Sequence, residues 1–159
     1  FPIKDLREAS YYLGCHITRD RNAGTLTFDQ YQYIQTVAER FGVTKTSIIP
    51  SVAGGKVLLK SDSPQTDAEV KEMRQIPCRE IVGALMWAAT MTRPDISFAA
   101  HQLAKFNDNP GPTHWRAAQK ALQYLWRTRD LGITYEGEPG GGIKLSARVD
   151  ADYGTCPDT

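Results

Sequence analysis

Residues 113–129 read THWRAAQKALQYLWRTR, and this stretch says most about the fold. Its apolar side chains recur at intervals of three and four: Trp115, Ala118, Leu122 and Leu125. That spacing places them on one face of a helix. Thr113 is of a residue type that often caps a helix at its N-terminus. The stretch therefore predicts an amphipathic helix that packs its apolar stripe against a core.

The polar side of this helix is basic. No acidic residue occurs from 113 to 129, and polar side chains recur at i, i+4, i+7 and i+11: Arg116, Lys120, Gln123 and Arg127. A positive row on a rigid helix suits contacts with a phosphate backbone. A solvated helix face would show the same pattern, so both interpretations stay open. The tryptophans at 87, 115 and 126 could stack on bases, although tryptophans at helical spacing commonly pack in a core.

Two more helices are predicted between residues 76 and 112. The first spans residues 77–89, because proline suits a first helical turn and the apolar positions that follow recur at helical spacing. The second is predicted to begin at a capping Thr92, with Pro94 in its first turn. The turn-forming run at 107–112 ends it, and Thr113 is predicted to cap the third helix.

The N-terminal part favours β-structure followed by one helix. Residues 11–18 and 25–28 are rich in β-forming types and flank a polar run that ends in Gly24, which predicts a β-hairpin. Residues 29–41 have helical periodicity, and Gly42 follows as a C-terminal cap.

The remaining segments complete the prediction of an α+β chain. Residues 43–75 lose periodicity and read as a tether with one short polar helix at 67–74. Residues 133–135 and 143–149 read as strands on either side of a glycine turn at 140–142. The predicted architecture is an N-terminal hairpin, a helical bundle and C-terminal strands.

Charge is unevenly distributed along the chain. Residues 74–129 carry eight basic and three acidic side chains, whereas residues 130–159 carry two basic and six acidic ones. This distribution suits a polyanion track beside a cation-binding carboxylate site, or two blocks that attract each other. The cysteines Cys15, Cys78 and Cys156 form neither a disulfide framework nor a CxxC metal motif. Apolar runs are too short for a membrane span, and the histidines lack the spacing of metal ligands.

Four stretches carry recognisable motifs: KDLREASYYLG at 4–14, IVGALMWAA at 81–89 with TRPDI at 92–96, HWRAAQKALQYL at 114–125, and DADYG at 150–154 with CPDT at 156–159. In that order they resemble KDLGEASYFLG, VGSLMYAA with TRPDI, HWRAAKRVLRYL, and DADWAG with CPDT of copia-type retrotransposon polymerases. The resemblance covers most of the chain. Arg7 departs from it, because the family usually has glycine there.

The resemblance implies a division of the chain within a longer Pol polyprotein. The implied segments are a palm-end primer-grip hairpin at 1–28, a first thumb helix at 29–42, a tether at 43–75, a helical thumb-like region at 76–130, and at 131–159 a connection with the first strand of a truncated RNase H-like domain. Because the chain opens Phe1-Pro2 without a methionine, we expect an excised segment of a longer protein.

The resemblance also implies nucleic-acid contacts. Tyr12, Leu13 and Gly14 would hold the primer 3′ end. The basic row would contact the backbone of the RNA/DNA template–primer duplex: Arg116, Lys120, Gln123 and Arg127. These implied partners are the duplex and the rest of the polyprotein, with no membrane.

The C-terminal motif implies part of a metal site. Asp150 matches the first metal-binding carboxylate of RNase H, and Asp152 could assist it. In the complete parent enzyme such carboxylates hold Mg²⁺ ions that activate water and stabilise the leaving oxygen. We expect no tightly bound cofactor in this chain alone, because the other RNase H acids would follow Thr159.

The implied function is a nucleic-acid-gripping, non-catalytic fragment of a reverse transcriptase, an RNA-directed DNA polymerase with RNase H. The polymerase Tyr-X-Asp-Asp motif is absent and would precede Phe1, so catalysis by the chain alone is not expected. The implied location is the cytoplasm, in a virus-like particle, with the nucleus left open. The alternative is a co-opted retroelement-derived interaction module, such as a host or secreted binding protein.

Overall fold

The computed structural model describes residue 3, residues 8–44 and residues 57–137. Its strands and helices are, in chain order, β1 Tyr11–Tyr12, β2 Cys15–Asp20, β3 Thr25–Asp29, α1 Tyr31–Arg40, α2 Asp67–Met73, α3 Cys78–Met91, α4 Ser97–Ala104, α5 Pro112–Arg127 and β4 Gly132–Glu136. Two 3-10 turns occur at Lys60–Asp62 and Pro94–Ile96. These elements confirm the predicted α+β class. The predicted strand at 143–149 lies outside the described residues.

The four strands form one antiparallel sheet in the order β1-β2-β3-β4. Ile17 pairs with Phe28, and Phe28 pairs with Ile133, so this row continues from the hairpin into β4. The hairpin of β2 and β3 confirms the sequence prediction. The pairing of β4 with β3 brings a strand from the predicted 131–159 segment onto the N-terminal sheet.

The predicted strand at 11–18 is interrupted by a tight turn. Tyr12 pairs with Cys15, which leaves Leu13 and Gly14 as a two-residue loop with φ of 50° and 83°. Positive φ at both central residues is the requirement of a type I′ hairpin turn. Glycine adopts positive φ readily, but leucine rarely does. For this reason the sequence did not predict the turn at Leu13 and Gly14.

Four helices enclose the core. Most of its buried residues lie on α1, α3, α4 and α5 and include Ile34, Leu85, Ala100 and Leu122, and Ile96 of the second 3-10 turn is buried with them. Gly42, at φ 67°, terminates α1 as predicted. The amides that follow α1 bond back to Glu39 and Ala38, which satisfies the carbonyls at the helix end.

Two predicted helix caps are wrong. Thr92 ends α3 rather than starting the next helix, and its hydroxyl donates to the side-chain oxygen of buried Gln30 at 2.8 Å. Thr113 lies inside α5, because Pro112 occupies the first helical position, where no amide hydrogen is needed. The amide of Gly111 instead donates to Nδ1 of His114 at 2.9 Å.

Candidate nucleic-acid interface

The basic row of α5 faces solvent. Arg116, Lys120 and Arg127 are exposed and Gln123 is half-buried. The opposite side of the same helix is buried in the core, at Ala118, Ala121, Leu122 and Leu125. At 1.5 Å of rise per residue, the row from Arg116 to Arg127 extends about 16 Å. The sequence therefore placed these cations on the correct side of the helix.

The first two cations of the row are not paired with carboxylates. Within residues 8–44 and 57–137, neither Arg116 nor Lys120 forms an ion pair. Arg116 directs its Nε–H to the carbonyl of Pro112, one turn earlier, at 3.3 Å. Both charges are consequently available to an anionic partner.

Aromatic contacts fix α5 against α1. The Trp115 ring meets the Phe41 ring edge-on, with centroids 6.2 Å apart. At the other end, the Arg129 guanidinium lies 4.1 Å from the Trp126 ring centroid and 5.1 Å from that of Tyr31. Trp115 and Trp126 are both packed against the core, which supports a packing role for these two tryptophans.

A buried arginine ties the end of α5 to the end of α3. Arg93 is only 1% exposed and bonds Asp95 through Nε at 3.0 Å and Nη2 at 2.6 Å. Its Nη1 also donates to the carbonyl of Thr128 at 2.8 Å. Burial would raise the pKa of Asp95, but the hydrogen bonds and charge of Arg93 outweigh it and hold that pKa below its usual value. We call Arg93, Asp95 and Thr128 the arginine latch.

The sequence prediction gave Thr92 and Pro94 of the TRPDI motif roles at a helix start, but it missed the structural role of Arg93. The available signal was an arginine two residues before an aspartate, directly after an apolar helix. A cation in that position must be either exposed to solvent or paired inside the fold. Arg93 is buried and paired, because the carbonyl and hydroxyl oxygens of Thr128 accept the hydrogen bonds that Asp95 does not.

The predicted primer-grip turn lies beside α3. Tyr12 and Leu13 are 63% and 57% exposed. A Cβ on Gly14 would lie 3.9 Å from Nε1 of Trp87, so the turn and this tryptophan are neighbours. Trp87 is itself 37% exposed, unlike the tryptophans of α5. We call Tyr12, Leu13, Gly14 and Trp87 the turn surface.

The turn surface and the α5 row lie on opposite sides of the bundle. The buried sides of α3 and α5 share one core, while α1 and α4 each contact both helices and flank them. Exposed positions of a helix lie opposite its buried ones. Trp87 on α3 therefore points away from Arg116 and Lys120 on α5. The fold does not bring the two predicted contact sets together.

The three histidines have local roles in the fold. Nδ1 of His16 lies 3.0 Å from Oδ2 of Asp29, and Nδ1 of His101 lies 2.7 Å from the carbonyl of Ser97. His114 stacks on Phe106 at 4.2 Å, beside its bond to Gly111.

No trio of potential metal ligands occurs among the residues that the structure describes. Asp150 and Asp152, the predicted metal-binding carboxylates, lie outside those residues. In the same described part of the chain, every helix is too short or too polar to cross a membrane.

Comparison with known proteins identifies transposon polyproteins. The chain is 38% identical over 138 residues to the retrovirus-related Pol polyprotein from transposon TNT 1-94 of Nicotiana tabacum, covering 86% of this chain and 10% of that protein. It is 30% identical over 163 aligned positions to a putative transposon Ty5-1 protein of Saccharomyces cerevisiae, covering 99% of this chain and 49% of that protein.

A third relative is of another kind. The secreted RxLR effector protein 161 of Plasmopara viticola is 37% identical over 81 residues, covering 51% of this chain and 56% of the effector. The chain thus spans between a tenth and just over half of these three relatives. No family model matches the chain, and no solved structure does.

Proposed function

Because the chain is homologous to part of the retrovirus-related Pol polyproteins of copia-type retrotransposons, we propose that it grips nucleic acid without catalysing a reaction. In this proposal it is the thumb-like part of an RNA-directed DNA polymerase and RNase H. Its partners are the template–primer duplex and the rest of the polyprotein. The single observation that carries the proposal is the exposed, acid-free row on α5.

The row has the chemistry of a phosphate-binding surface. Arg116 and Lys120 present positive charge to solvent, and no carboxylate occurs on the same helix to neutralise them. Each phosphate that such a side chain neutralises releases condensed counterions, which favours binding at low salt. Contacts of this type position a protein on a duplex and carry no sequence information. This matches a protein that must hold any template.

The turn surface supports the second part of the proposal, contact with the primer end. Tyr12 and Leu13 project from a tight turn, and Trp87 lies beside it. Exposed aromatic rings stack on bases or sugars irrespective of sequence. We assign no catalytic step to the chain, because its sequence lacks the polymerase Tyr-X-Asp-Asp motif.

Fluorescence anisotropy with a labelled RNA–DNA template–primer tests the proposal. The wild-type chain should bind at low salt and lose affinity as salt rises. Arg116→Glu combined with Lys120→Glu should weaken binding while leaving the helical circular dichroism unchanged. The matched control is Lys71→Glu on α2 with Arg74→Glu directly after it; both positions are exposed, and the net charge changes equally. Equal loss of binding in both variants would show that only total charge matters.

The effector relative favours a second candidate, an interaction module without polymerase function. Such a module would bind a protein surface, with an affinity that changes little with salt. Absence of template–primer binding at low salt would favour this candidate over the first.

A further inference from the structure

The opposed positions of the α5 row and the turn surface limit what one duplex can contact. The axes of packed helices lie about 8–10 Å apart, and a helix with its side chains is about 10–12 Å wide. The outer faces of α3 and α5 are therefore about 20 Å apart. A duplex has a persistence length of about 50 nm and does not bend around so small a body. A single straight duplex reaches one surface or the other.

We propose that the α5 row holds a second nucleic-acid segment, separate from the template–primer end at the turn surface. The inference rests on the proposed function, which already assigns a phosphate backbone to the α5 row, and it adds that this backbone belongs to a different nucleic-acid segment from the one at the turn surface. The ligand is a phosphodiester backbone, recognised by charge at Arg116 and Lys120 and by a side-chain amide at Gln123.

The two surfaces differ in chemistry as well as in position. The row on α5 is cationic over about 16 Å, the axial length of about five phosphates of one strand. The outward side of α3 near the turn has Gly83, Trp87 and Thr90, and the nearby Glu80 is paired with Arg40. Cations suit a backbone, whereas exposed rings suit bases and sugars. The surfaces therefore fit different parts of a nucleic acid.

The experiment counts nucleic-acid segments bound by each chain. Hybrids of about ten base pairs, one helical turn, carry either a donor or an acceptor fluorophore and are mixed with the full 159-residue chain. Native mass spectrometry gives the number bound per chain, and energy transfer reports two hybrids on one protein. We expect two hybrids per wild-type chain and energy transfer between them.

Variants assign each bound hybrid to one surface. Arg116→Glu with Lys120→Glu should leave one hybrid, held at the turn surface. Tyr12→Glu with Leu13→Asp should also leave one, held on α5. Both variants should lose energy transfer, whereas Lys71→Glu with Arg74→Glu should keep it. Alanine versions of the α5 pair give the same comparison if the glutamates disturb the helix, because alanine favours helices.

Three results would overturn the inference. One hybrid per wild-type chain, abolished by either variant pair, would mean a single surface and would leave the proposed function intact. Displacement of the α5-bound hybrid by poly-glutamate more readily than by an unlabelled hybrid of equal charge would mean an acidic protein ligand. No binding of any hybrid by the wild-type chain would refute the proposed function itself.

Discussion

Replacing Arg116 and Lys120 by alanine should flatten the salt dependence of duplex DNA binding. Both side chains are exposed, and neither is paired with a carboxylate in the described part of the chain. Each phosphate neutralised contributes about 0.9 to the slope of log affinity against log salt, so losing two contacts lowers the slope by about 1.8. Between about 50 and 200 mM salt, the variant should lose about 12-fold less affinity than the wild type.

Anisotropy titrations at four or more salt concentrations measure this slope directly. Alanine keeps the helix intact, and among the described residues the only side-chain hydrogen bond lost is the 3.3 Å contact from Arg116 to Pro112. The unfolding free energy should therefore stay within about 0.5 kcal/mol of the wild-type value. Lys71→Ala with Arg74→Ala should leave the slope unchanged. Parallel salt plots for wild type and the α5 variant would show that these side chains do not touch phosphates.

Four further predictions concern stability and reactivity. Arg93→Met should lower the unfolding free energy in urea by about 3 kcal/mol, because Asp95 and a carbonyl at the end of α5 lose their buried partner. The lowered pKa of Asp95 contributes stability that is present above about pH 4 and lost as pH falls below it, so Asp95→Asn should reduce the acid-side loss of stability. Gly42→Ala should lower the unfolding free energy by about 1 kcal/mol, because of its positive φ alone. Gly111→Ala should lower it more, because the added Cβ would lie 1.9 Å from a backbone oxygen of the first 3-10 turn. Equal losses of unfolding free energy in the two variants would contradict this order. Burial raises the pKa of the Cys78 thiol to about 11, so little reactive thiolate is present at neutral pH. A thiol reagent should therefore label Cys78 only after unfolding, and peptide mass mapping would measure this labelling.

Periodicity predicted most of the helical part correctly, because it records which side of a helix must be buried. The stripe that begins at Trp115 and Ala118 and the row that begins at Arg116 lie on the predicted sides of α5. Gly42 ends α1 as expected, since a left-handed residue is a local requirement that glycine meets best. Such features depend on neighbours within one or two turns.

Features that depend on distant partners were not predictable in the same way. Thr92 has the residue type of an N-cap, but its hydroxyl bonds Gln30, 62 residues away in sequence. Arg93 likewise bonds Thr128, which lies 35 residues away in sequence. The turn at Leu13 and Gly14 was not predicted from the sequence, because leucine rarely adopts positive φ. For Thr92 and Arg93, a tertiary hydrogen bond decides the role of the side chain.

The relative position of the two proposed contact surfaces was the feature hardest to predict from the sequence. Residues 12–14 and 116–127 each have a local pattern, but only the packing of α3 against α5 shows that they face opposite ways. This arrangement also gives the arginine latch a consequence beyond stability. Arg93 follows α3, which carries Trp87, and bonds the end of α5, which carries the basic row. Because one buried side chain joins the two helices at that end, the latch holds the two surfaces in a fixed relation. If Arg93→Met weakens the latch without unfolding the chain, each surface should still bind its hybrid, and the energy transfer between the two hybrids should broaden rather than disappear.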